Sequence, residues 1–467
     1  MPWAGAMAAP ARRVDSLESA ETALASTISG RKWIVASSLA VGRAGIERLR
    51  SLGAEDVIVV AGTRGVGDLP DSEILYLGLE PTTDLMSAIR ATEAALADPP
   101  SEVVAAVDRF DPAGDALVIG DPVFGLSEFL GRHVYGSRPR SWAELEDKTT
   151  ADALWDEAGI ERSPSAVVPL AEARTTATEL ATEHGTVWAA DNSRGWHGGG
   201  EYTRWVPTGT EEAAVDWFTG RADVVRVMPF LDGIPCSIHG FVTGTGVATF
   251  RPYEMIVLRR ADRSGFLYAG GGTFWDPPIA DREAMRWAAR SVGRVLDRLV
   301  GYRGPYSVDG IMTADGFLPT EVNPRQSRGL GDQAAAVEAL SLGGLTRGVI
   351  AGSFDVDPAW LETTIVEAAD GRRNGRANTS LPILPPDIEP QELLLQVGSA
   401  VPTDEDGTGR LEIGGGHIGS TLMLRFDPDR VAPGPSVAPL VTAAHRFARE
   451  SWGLPVPETV PAPDLRG

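Results

Sequence analysis

The feature that most constrains this chain is a short hairpin pattern close to residue 310. Two strand-like runs, 306–312 and 317–325, flank Thr313-Ala314-Asp315-Gly316. An Asp-Gly pair between two such runs is a strong signal for a β-hairpin turn. The chain is therefore expected to fold back at this turn, which brings the middle of the first run beside the second.

Polar side chains gather on one face of this hairpin. Glu321 and Asn323 are two residues apart, so they point to the same side of their strand. Folding at the turn brings Asp309 beside them, and Arg325 follows on the same face. Carboxylate and amide oxygens without His or Cys suit Mg²⁺, which usually binds one or two carboxylates together with substrate phosphates. A solvated hairpin with ordinary surface charges is the plain alternative.

The same residues carry a resemblance to a known family. Asp309 and the run Glu321-Val322-Asn323-Pro324-Arg325 resemble the metal-binding hairpin of the ATP-grasp enzymes. The resemblance implies that Asp309, Glu321 and Asn323 hold Mg²⁺, or Mn²⁺ in its place, against the phosphates of ATP. It also implies a catalytic role for Arg325, which would steady an acyl phosphate.

Composition and charge exclude several classes of protein. The 467 residues are 43% hydrophobic, and the formal net charge of −22 argues against a partner with a phosphate backbone or an anionic membrane surface. The sequence has neither an apolar run that could span a membrane nor a signal-peptide pattern, so we expect a cytoplasmic protein. The single cysteine, Cys236, excludes an internal disulfide and a metal site built on cysteines.

The first part of the chain alternates strands and helices. Residues 1–30 are expected to form a flexible segment or a short helix. The pattern then predicts a small open parallel sheet, with strands at 32–36, 56–61 and 116–120 and helices at 44–52 and 81–97. No Gly-x-Gly-x-x-Gly follows the first strand, so a dinucleotide site is not expected there. Under the resemblance this is the domain that precedes the ATP-grasp fold. Gly120-Asp121-Pro122 is a candidate substrate-facing loop, with a capped turn as the alternative.

Lys148 is conspicuous because only one other lysine, Lys32, stands among the 42 basic residues. Asp147 and Lys148 precede a helix that Gly159 is expected to end. This arrangement resembles the start of the ATP-grasp nucleotide domain, where such a lysine contacts ATP phosphate. A solvated surface charge is the ordinary alternative.

A glycine-rich loop follows a predicted strand at 186–190. Glycines let backbone N–H groups approach phosphates closely, and the resemblance implies that Gly198 and Gly199 cover the phosphates of ATP. The family usually has a second phosphate-binding lysine near the position of Ala190. Arg194 is the candidate to supply that charge from within the loop, and His197 could add a donor.

The run 224–238 resembles the hinge at which ATP-grasp enzymes read the adenine edge. The resemblance implies contacts from Met228, Phe230 and Leu231. Pro229 lacks an N–H, so Leu231 is the better backbone donor. The acidic residue that often binds ribose is not obvious here.

Other candidates lie further along the chain. Arg251 and Arg259 are candidate catalytic cations, because positive groups offset the charge of a triphosphate and a carboxylate. Glu254 and Arg328 are candidate substrate contacts. The glycine cluster at 268–273 is a candidate substrate loop, a strong amphipathic helix is expected at 281–300, and an Ala-rich helix at about 334–342.

The expected fold class is multidomain, α/β and α+β: an ATP-grasp fold with an N-terminal Rossmann-like domain and a small C-terminal α+β cap. The expected boundaries, after the segment 1–30, are 31–140, 141–354 and 355–467, with ATP-grasp subdomains at 141–223 and 224–354. Residues 370–390 are expected to connect the last two units.

The resemblance implies an ATP-dependent ligase that forms a carbon–nitrogen bond. A small carboxylate, amino-acid-like, would be phosphorylated to an acyl phosphate, and an amine would displace the phosphate. Two alternatives stay open. One is an ATP-binding protein without ligase activity, regulatory or degenerate, which Ala190 favours. The other is a phosphotransferase on the same fold. A homodimer is compatible with the sequence.

Overall fold

The structure is a computed structural model that describes residues 12–466, apart from 66, 67, 81, 83, 122, 196, 199 and 417. The N-terminal part contains eleven elements: β1 Arg12–Val14, α1 Leu17–Ile28, β2 Lys32–Leu39, α2 Arg43–Ser51, β3 Asp56–Thr63, β4 Ile74–Tyr76, α3 Leu85–Ala97, α4 Ser101–Phe110, β5 Leu117–Gly120, β6 Glu128–Phe129 and β7 Arg132–His133. Strands β4-β3-β2-β5 form a parallel sheet in that order, which confirms the predicted open sheet.

One helix prediction in this part needed correction. The helix expected from residue 81 begins at Leu85, because the Asp84 side chain accepts a hydrogen bond from Ser87 N–H and caps it there. Of the two alternatives expected for residues 1–30, the short helix is observed at 17–28 as α1, which Ser16 caps. Residues 1–11 of that segment, like Pro81, lie outside the described residues.

The next part is a small antiparallel sheet with helices on it. Its elements are α5 Arg140–Ala143, α6 Ala151–Ala158, β8 Ala166–Pro169, α7 Ala173–Leu180, β9 Thr186–Ala190, β10 Thr203–Val206, α8 Glu211–Phe218 and β11 Val224–Pro229. The strand order is β10-β9-β11-β8. Helices α7 and α8 cover one face of the sheet and share a separate core that contains Trp188 and Phe218. This sheet therefore packs around a core of its own.

The remaining strands form one large sheet, except β18, which pairs with β1 in a separate two-stranded sheet. Residues 234–371 contribute β12 Ile234–Val242, β13 Val247–Thr249, β14 Tyr253–Arg260, β15 Phe266–Gly272, α9 Ile279–Val300, β16 Gly304–Thr313, β17 Gly316–Asn323, α10 Arg328–Ala334, α11 Leu342–Ile350, β18 Phe354–Val356 and α12 Pro358–Gly371. Residues 375–460 contribute β19 Gly375–Leu381, β20 Gln391–Gln396, β21 Ser399–Pro402, β22 Gly409–Gly416, β23 Gly419–Phe426, α13 Ala438–Ser451 and β24 Thr459–Val460.

The sheet runs without a break from the hairpin to the C-terminal part. Its order is β17-β16-β12-β14-β15-β19-β23-β22-β20-β21, with β13 and β24 paired at the side. Helix α9 packs beneath β12 and β16, where Tyr306 and Val308 face the core. Because side chains alternate along a strand, Asp309 faces the opposite side. The alternation therefore places the predicted ligands on the face away from α9.

Three predictions for this part of the chain were wrong. The stretch 370–390 contains strand β19, which pairs with β15. The glycine cluster at 268–273 is not a loop but the end of β15, where a Cβ on Gly270 would stand 2.3 Å from Arg376 O. The helix expected at 334–342 is replaced by α10 and α11, with turns between them.

The domain boundaries remain predictions, and the N-terminal β1 illustrates why. It pairs in parallel with β18, more than 300 residues away. The N-terminal segment and the predicted boundary at 354–355 therefore share one small sheet. Among the described helices, none combines the length and the apolar composition needed to cross a bilayer.

Candidate active site

The hairpin β16–β17 brings the three predicted ligands together. Asp309 pairs directly with Glu321 across the strands, and a bulge follows between Asp309 and Gly310. The Asn323 amide Nδ2 donates to Asp309 Oδ2 at 2.9 Å and lies 3.5 Å from Glu321 Oε1. Bulges are common beside active sites because they re-aim side chains. The hairpin therefore presents two carboxylates and an amide as one cluster.

Gly310 permits this bulge. A Cβ at this position would lie 2.4 Å from the Leu318 carbonyl oxygen and would also meet the ring of Phe317. A side chain on Gly310 would thus push the two strands apart next to Asp309. Gly310 is consequently a structural requirement of the hairpin, in addition to the Asp315-Gly316 turn that the sequence predicted.

The neighbouring strand β12 supports the cluster. Ser237 lies opposite Asp309 in the β12–β16 register, and its hydroxyl donates to Asp309 Oδ1 at 2.6 Å. Each oxygen of Asp309 therefore accepts a hydrogen bond, one from Ser237 and one from Asn323. Sequence reasoning missed Ser237 because its partner is 72 residues away, and a serine in a buried strand carries no signal of its own.

The two neighbouring carboxylates of the cluster favour the binding of a cation. Burial and the charge of Glu321 raise the pKa of Asp309 to about 7. Burial also acts to raise the pKa of Glu321, but Lys148 and Asn323 together hold it below its ordinary value. Two carboxylates and an amide oxygen, enclosed and facing each other, are a suitable donor set for Mg²⁺ or Mn²⁺. Asn323 would bind the cation through its amide oxygen. This requires the amide group to rotate so that the oxygen takes the place of the nitrogen.

Lys148 reaches this cluster from a different element. It follows a 3₁₀ turn at Glu144–Glu146, and its Nζ lies 2.8 Å from Glu321 Oε2. Its side chain is only 11% exposed. Asp147 fixes the turn, because one of its carboxylate oxygens accepts from Thr149 N–H and the other from Asn192 N–H at 2.9 Å. The turn that carries Lys148 is thus tied to the glycine-rich loop.

The glycine-rich loop places His197, and not Arg194, near Lys148. His197 is 2% exposed and its Nε2 lies 3.1 Å from Asp191 O, while its Nδ1 is buried without a partner. Burial, followed by the charge of Lys148, lowers the pKa of His197. Arg194 instead pairs with Asp223 at 2.6 Å with nearly half its side chain exposed. The charge expected from Arg194 near Ala190 is therefore directed to the surface of the small sheet.

The rest of the loop links two parts of the molecule. Gly198 is buried and its carbonyl accepts from Glu201 N–H, whereas Gly199 lies outside the described residues. The Glu201 carboxylate accepts two hydrogen bonds from Arg90 of α3, at 3.0 and 3.1 Å. This Arg90–Glu201 clamp joins the end of the loop to the N-terminal part.

The predicted hinge is a buried aromatic cluster. Met228 and Phe230 are both buried, and the Phe230 N–H donates to Gly185 O at 3.0 Å, which leaves Leu231 as the expected adenine donor. The Arg259 guanidinium lies 4.8 Å from the Phe230 ring centroid and pairs with Asp232 at 2.8 Å. The structure thus places Arg259 at the hinge, away from the hairpin ligands.

Asp232 is an acidic residue within the predicted hinge that sequence reasoning did not single out. It also lies 3.1 Å from the His184 ring nitrogen. Its only signal in the sequence is its position directly after Leu231, before a glycine that permits the following turn.

Two other predicted residues belong to the junction with the C-terminal part. Arg251 is 3% exposed and pairs with Asp276 at 3.1 Å and with Asp370. Glu254 accepts hydrogen bonds from Ser436 Oγ and from the first amides of α13, so it caps that helix. Burial raises the pKa of Glu254 to about 7. Neither side chain contacts the hairpin ligands, and we do not carry them into the proposed site.

Arg325 and Arg328 are placed differently. Arg325 donates to Asn323 Oδ1 at 3.0 Å and pairs with Glu146 at 3.3 Å, so it stands beside the ligand cluster. Glu146, which also binds Arg138, is a buried carboxylate that sequence reasoning missed, although it stands two residues before Lys148. Arg328 donates to the Arg376 carbonyl and lies 3.4 Å from Asp332, at the start of α10.

Comparison with known proteins bears on the fold. No family model matches the chain, and no curated protein matches it. Among solved structures, the biotin carboxylase domain of the 2-oxoglutarate carboxylase of Hydrogenobacter thermophilus has a TM-score of 0.53 at 11% identity, covering 93% of this chain and 91% of that one. The chain has the ATP-grasp fold.

Two further structures agree with this assignment of the ATP-grasp fold. Biotin carboxylase from Campylobacter jejuni has a TM-score of 0.51 at 12% identity, with 93% of this chain and 92% of that chain covered. Pyruvate carboxylase from Rhizobium etli has a TM-score of 0.54 at 14% identity over 90% of this chain, which spans only 37% of that larger protein. The expected ATP-grasp fold class is thereby confirmed.

Proposed function

We propose that the protein is an ATP-dependent ligase that joins a small carboxylate to an amine. The observation that carries the proposal is that the turn before α6 and the β16–β17 hairpin bring together Lys148, Asp309, Glu321, Asn323 and Arg325. A hard-oxygen cluster with one lysine and one arginine at its edges suits a triphosphate, a divalent cation and an acyl phosphate. The solved biotin carboxylases of the same fold hold adenine nucleotides.

Each residue has a role in this reaction. Asp309, Glu321 and Asn323 would hold Mg²⁺ or Mn²⁺, which supplies charge neutralisation at the phosphates. Lys148 turns from Glu321 to the phosphates of ATP, and His197 and Gly198 lie in the loop that covers them. Met228, Phe230 and Leu231 form the adenine side of the cleft.

Bond changes are confined to the substrates. A carboxylate oxygen attacks the γ-phosphorus, and the bond between that phosphorus and the ADP oxygen breaks. The amine nitrogen then attacks the acyl carbon, phosphate leaves, and the amine loses a proton to solvent. Arg325, held at the hairpin by Asn323, stabilises negative charge on the acyl phosphate.

Replacement of Glu321 tests this proposal. Glu321→Ala and Glu321→Gln are expected to lower the rate of ADP release at least about 100-fold, because the remaining carboxylate cannot hold the cation alone. The measurement is ADP release with pools of amino acids, Mg²⁺ and ATP, with hydroxylamine added to trap an acyl phosphate as hydroxamate. Glu367→Ala, an exposed glutamate on α12, is the matched control.

Two outcomes would overturn the proposal. Normal turnover in Glu321→Gln would remove the metal assignment. Nucleotide binding by the unaltered protein without ADP release from any amino-acid pool would favour the binding protein without ligase activity, and ADP release without hydroxamate would favour the phosphotransferase.

A further inference from the structure

A cavity of about 50 Å³ lies beside Arg325, between the N-terminal sheet and α11. Its polar lining includes Asp121, Tyr135, Arg138, Arg325, Thr346 and Arg347. We call this the head-group cavity. It opens next to the ligand cluster, since Pro324 and Arg325 form one of its walls.

Positive charge exceeds negative charge around the head-group cavity. Arg138 and Arg325 share the carboxylate of Glu146, and Asp121 is a second carboxylate, in the cavity lining. Arg347 donates only to main-chain carbonyls, to Gly343 O at 3.2 Å and Gly120 O at 2.9 Å. In the described part of the chain, no carboxylate lies within the 4.0 Å of an ion pair with Arg347, although the charge of Asp121 acts on it. Burying an excess of positive charge is costly, which indicates that an anion from outside completes this cavity.

The hydroxyl of Thr346 gives a second, independent indication. Thr346 is 8% exposed, lines the same cavity, and its Oγ1 is buried without a hydrogen-bond partner. Buried hydroxyls nearly always have a hydrogen-bond partner. An unpartnered hydroxyl beside a guanidinium that has no ion pair therefore points to a missing acceptor. Burial also lowers the pKa of Arg347, while Asp121 acts against that change. At about 50 Å³ the cavity exceeds the roughly 10–15 Å³ that a single water molecule needs, which leaves room for a larger polar group.

We propose that the head-group cavity binds a second, non-reacting carboxylate of the substrate, held by Arg347 and the Thr346 hydroxyl. The reacting carboxylate lies at Arg325, so the substrate is a dicarboxylate or an acidic amino acid. This inference rests on the proposed ligase function for the identity of the reacting end. The binding of the second carboxylate does not depend on turnover.

Paired probes that differ by one carboxylate test the inference by calorimetry. Succinate, glutarate and adipate are compared with propionate, butyrate and pentanoate on the full chain with Mg²⁺ and a non-hydrolysable ATP analogue. At least one diacid is expected to bind about tenfold or more tightly than its monoacid partner, because a charge-assisted hydrogen bond to a guanidinium is strong. Arg347→Met is expected to abolish that preference without changing monoacid affinity.

The controls separate a binding role from a structural one. Arg446→Met removes an exposed arginine that also bonds a main-chain carbonyl, Gly398 O, and should leave the preference intact. Arg347→Lys should restore part of it. Thr346→Val should lower the diacid preference severalfold. This variant tests the inference if Arg347→Met does not fold, because Thr346 Oγ1 has no hydrogen-bond partner to lose.

Three outcomes would overturn the inference: no diacid preference in the unaltered protein, an unchanged preference in Arg347→Met, or a larger gain for glycerol 3-phosphate over glycerol than for any diacid over its monoacid. A preference that Arg347→Met abolishes, in a protein that releases no ADP, would support the head-group cavity and reject only the ligase function.

Discussion

At the scale of single residues, Lys148 and Glu321 act as one unit. Their 2.8 Å contact keeps Glu321 charged in an enclosed site and keeps the lysine at the edge of the ligand cluster. Under the proposed function, a cation that binds the Glu321 carboxylate would release the Lys148 ammonium to the phosphates of ATP. The scarcity of lysine in this chain made the residue visible in the sequence, and the structure supplies its partner.

Lys148→Met is expected to raise the KM for ATP about tenfold or more, because one charged contact to a phosphate is worth about 1.5–3 kcal/mol. Steady-state ADP release measures the effect. The matched control is Lys32→Met, the other lysine, whose Nζ donates to the Phe110 carbonyl outside the site. Equal KM values in the two variants would contradict the phosphate role.

His445 gives a residue-scale prediction about pH and stability. It is buried in α13, its Nε2 lies 3.0 Å from Thr379 Oγ1, and burial lowers its pKa to about 4. Between pH 6.5 and 4 the unfolded chain binds a proton there and the folded chain does not, so the free energy of unfolding falls as pH falls. The loss amounts to about 3 kcal/mol at most.

Chemical unfolding of His445→Gln at pH 7 and at pH 4.5 measures this contribution. The glutamine does not titrate, so the variant should lose less stability over this range than the unaltered chain. His133→Gln, at an exposed position, should follow the unaltered chain. If the two variants show the same pH dependence, buried His445 does not carry the effect.

At the scale of elements, the hairpin was predictable because its information is local. The turn, the spacing of Glu321 and Asn323, and Asp309 all lie within 15 residues, and strand alternation then fixes the face. Arg251 and Glu254 could not be placed in this way. Their partners, Asp370 and Ser436, are more than 100 residues away, and a charged residue in a strand does not reveal where its partner lies.

The glycine cluster before Thr273 shows that a run of glycines can indicate either a loop or close packing between strands. A Cβ on Gly271 would lie 2.2 Å from the Tyr253 ring, and one on Gly270 would meet the backbone of β19. The glycines are therefore needed for close packing inside a sheet, whereas the sequence pattern favoured a loop. The missed strand β19 follows from the same error, because β15 was not recognised as its neighbour.

Glu254→Ala is expected to destabilise the protein by about 3 kcal/mol, since it leaves the Val437 and Ala438 amides of α13 buried without an acceptor. Denaturant unfolding followed by near-UV circular dichroism is the measurement. Ser436→Ala, which removes only one hydroxyl partner, should cost about 1 kcal/mol. A loss below the Ser436→Ala value would show that water replaces the cap.

At the scale of the whole molecule, the C-terminal part is not an appendage. Strand β19 pairs with β15, and Ile256, Leu258 and Ala269 of the central strands share a core with Leu422 and Leu424. Arg251, Asp276 and Asp370 reinforce the same junction by ion pairs. The ligand hairpin and the C-terminal strands thus belong to one continuous sheet.

A chain that ends at residue 371 is expected to aggregate, because it exposes the edge of β15 together with its apolar core face. Size-exclusion chromatography and thermal unfolding test this. A chain that lacks only residues 463–467 retains all the described strands of the sheet and should stay monodisperse. A folded, monodisperse chain ending at 371 would show that the junction is dispensable.

The Arg90–Glu201 clamp has a kinetic consequence. It lies at the surface between α3 and the loop that would cover the nucleotide, so dissolved salt screens it more strongly than the partly buried Lys148–Glu321 contact. Under the proposed function, nucleotide passes this loop to reach the cleft. A higher ionic strength should therefore change the rate constant for nucleotide association more than the rate constant for nucleotide dissociation.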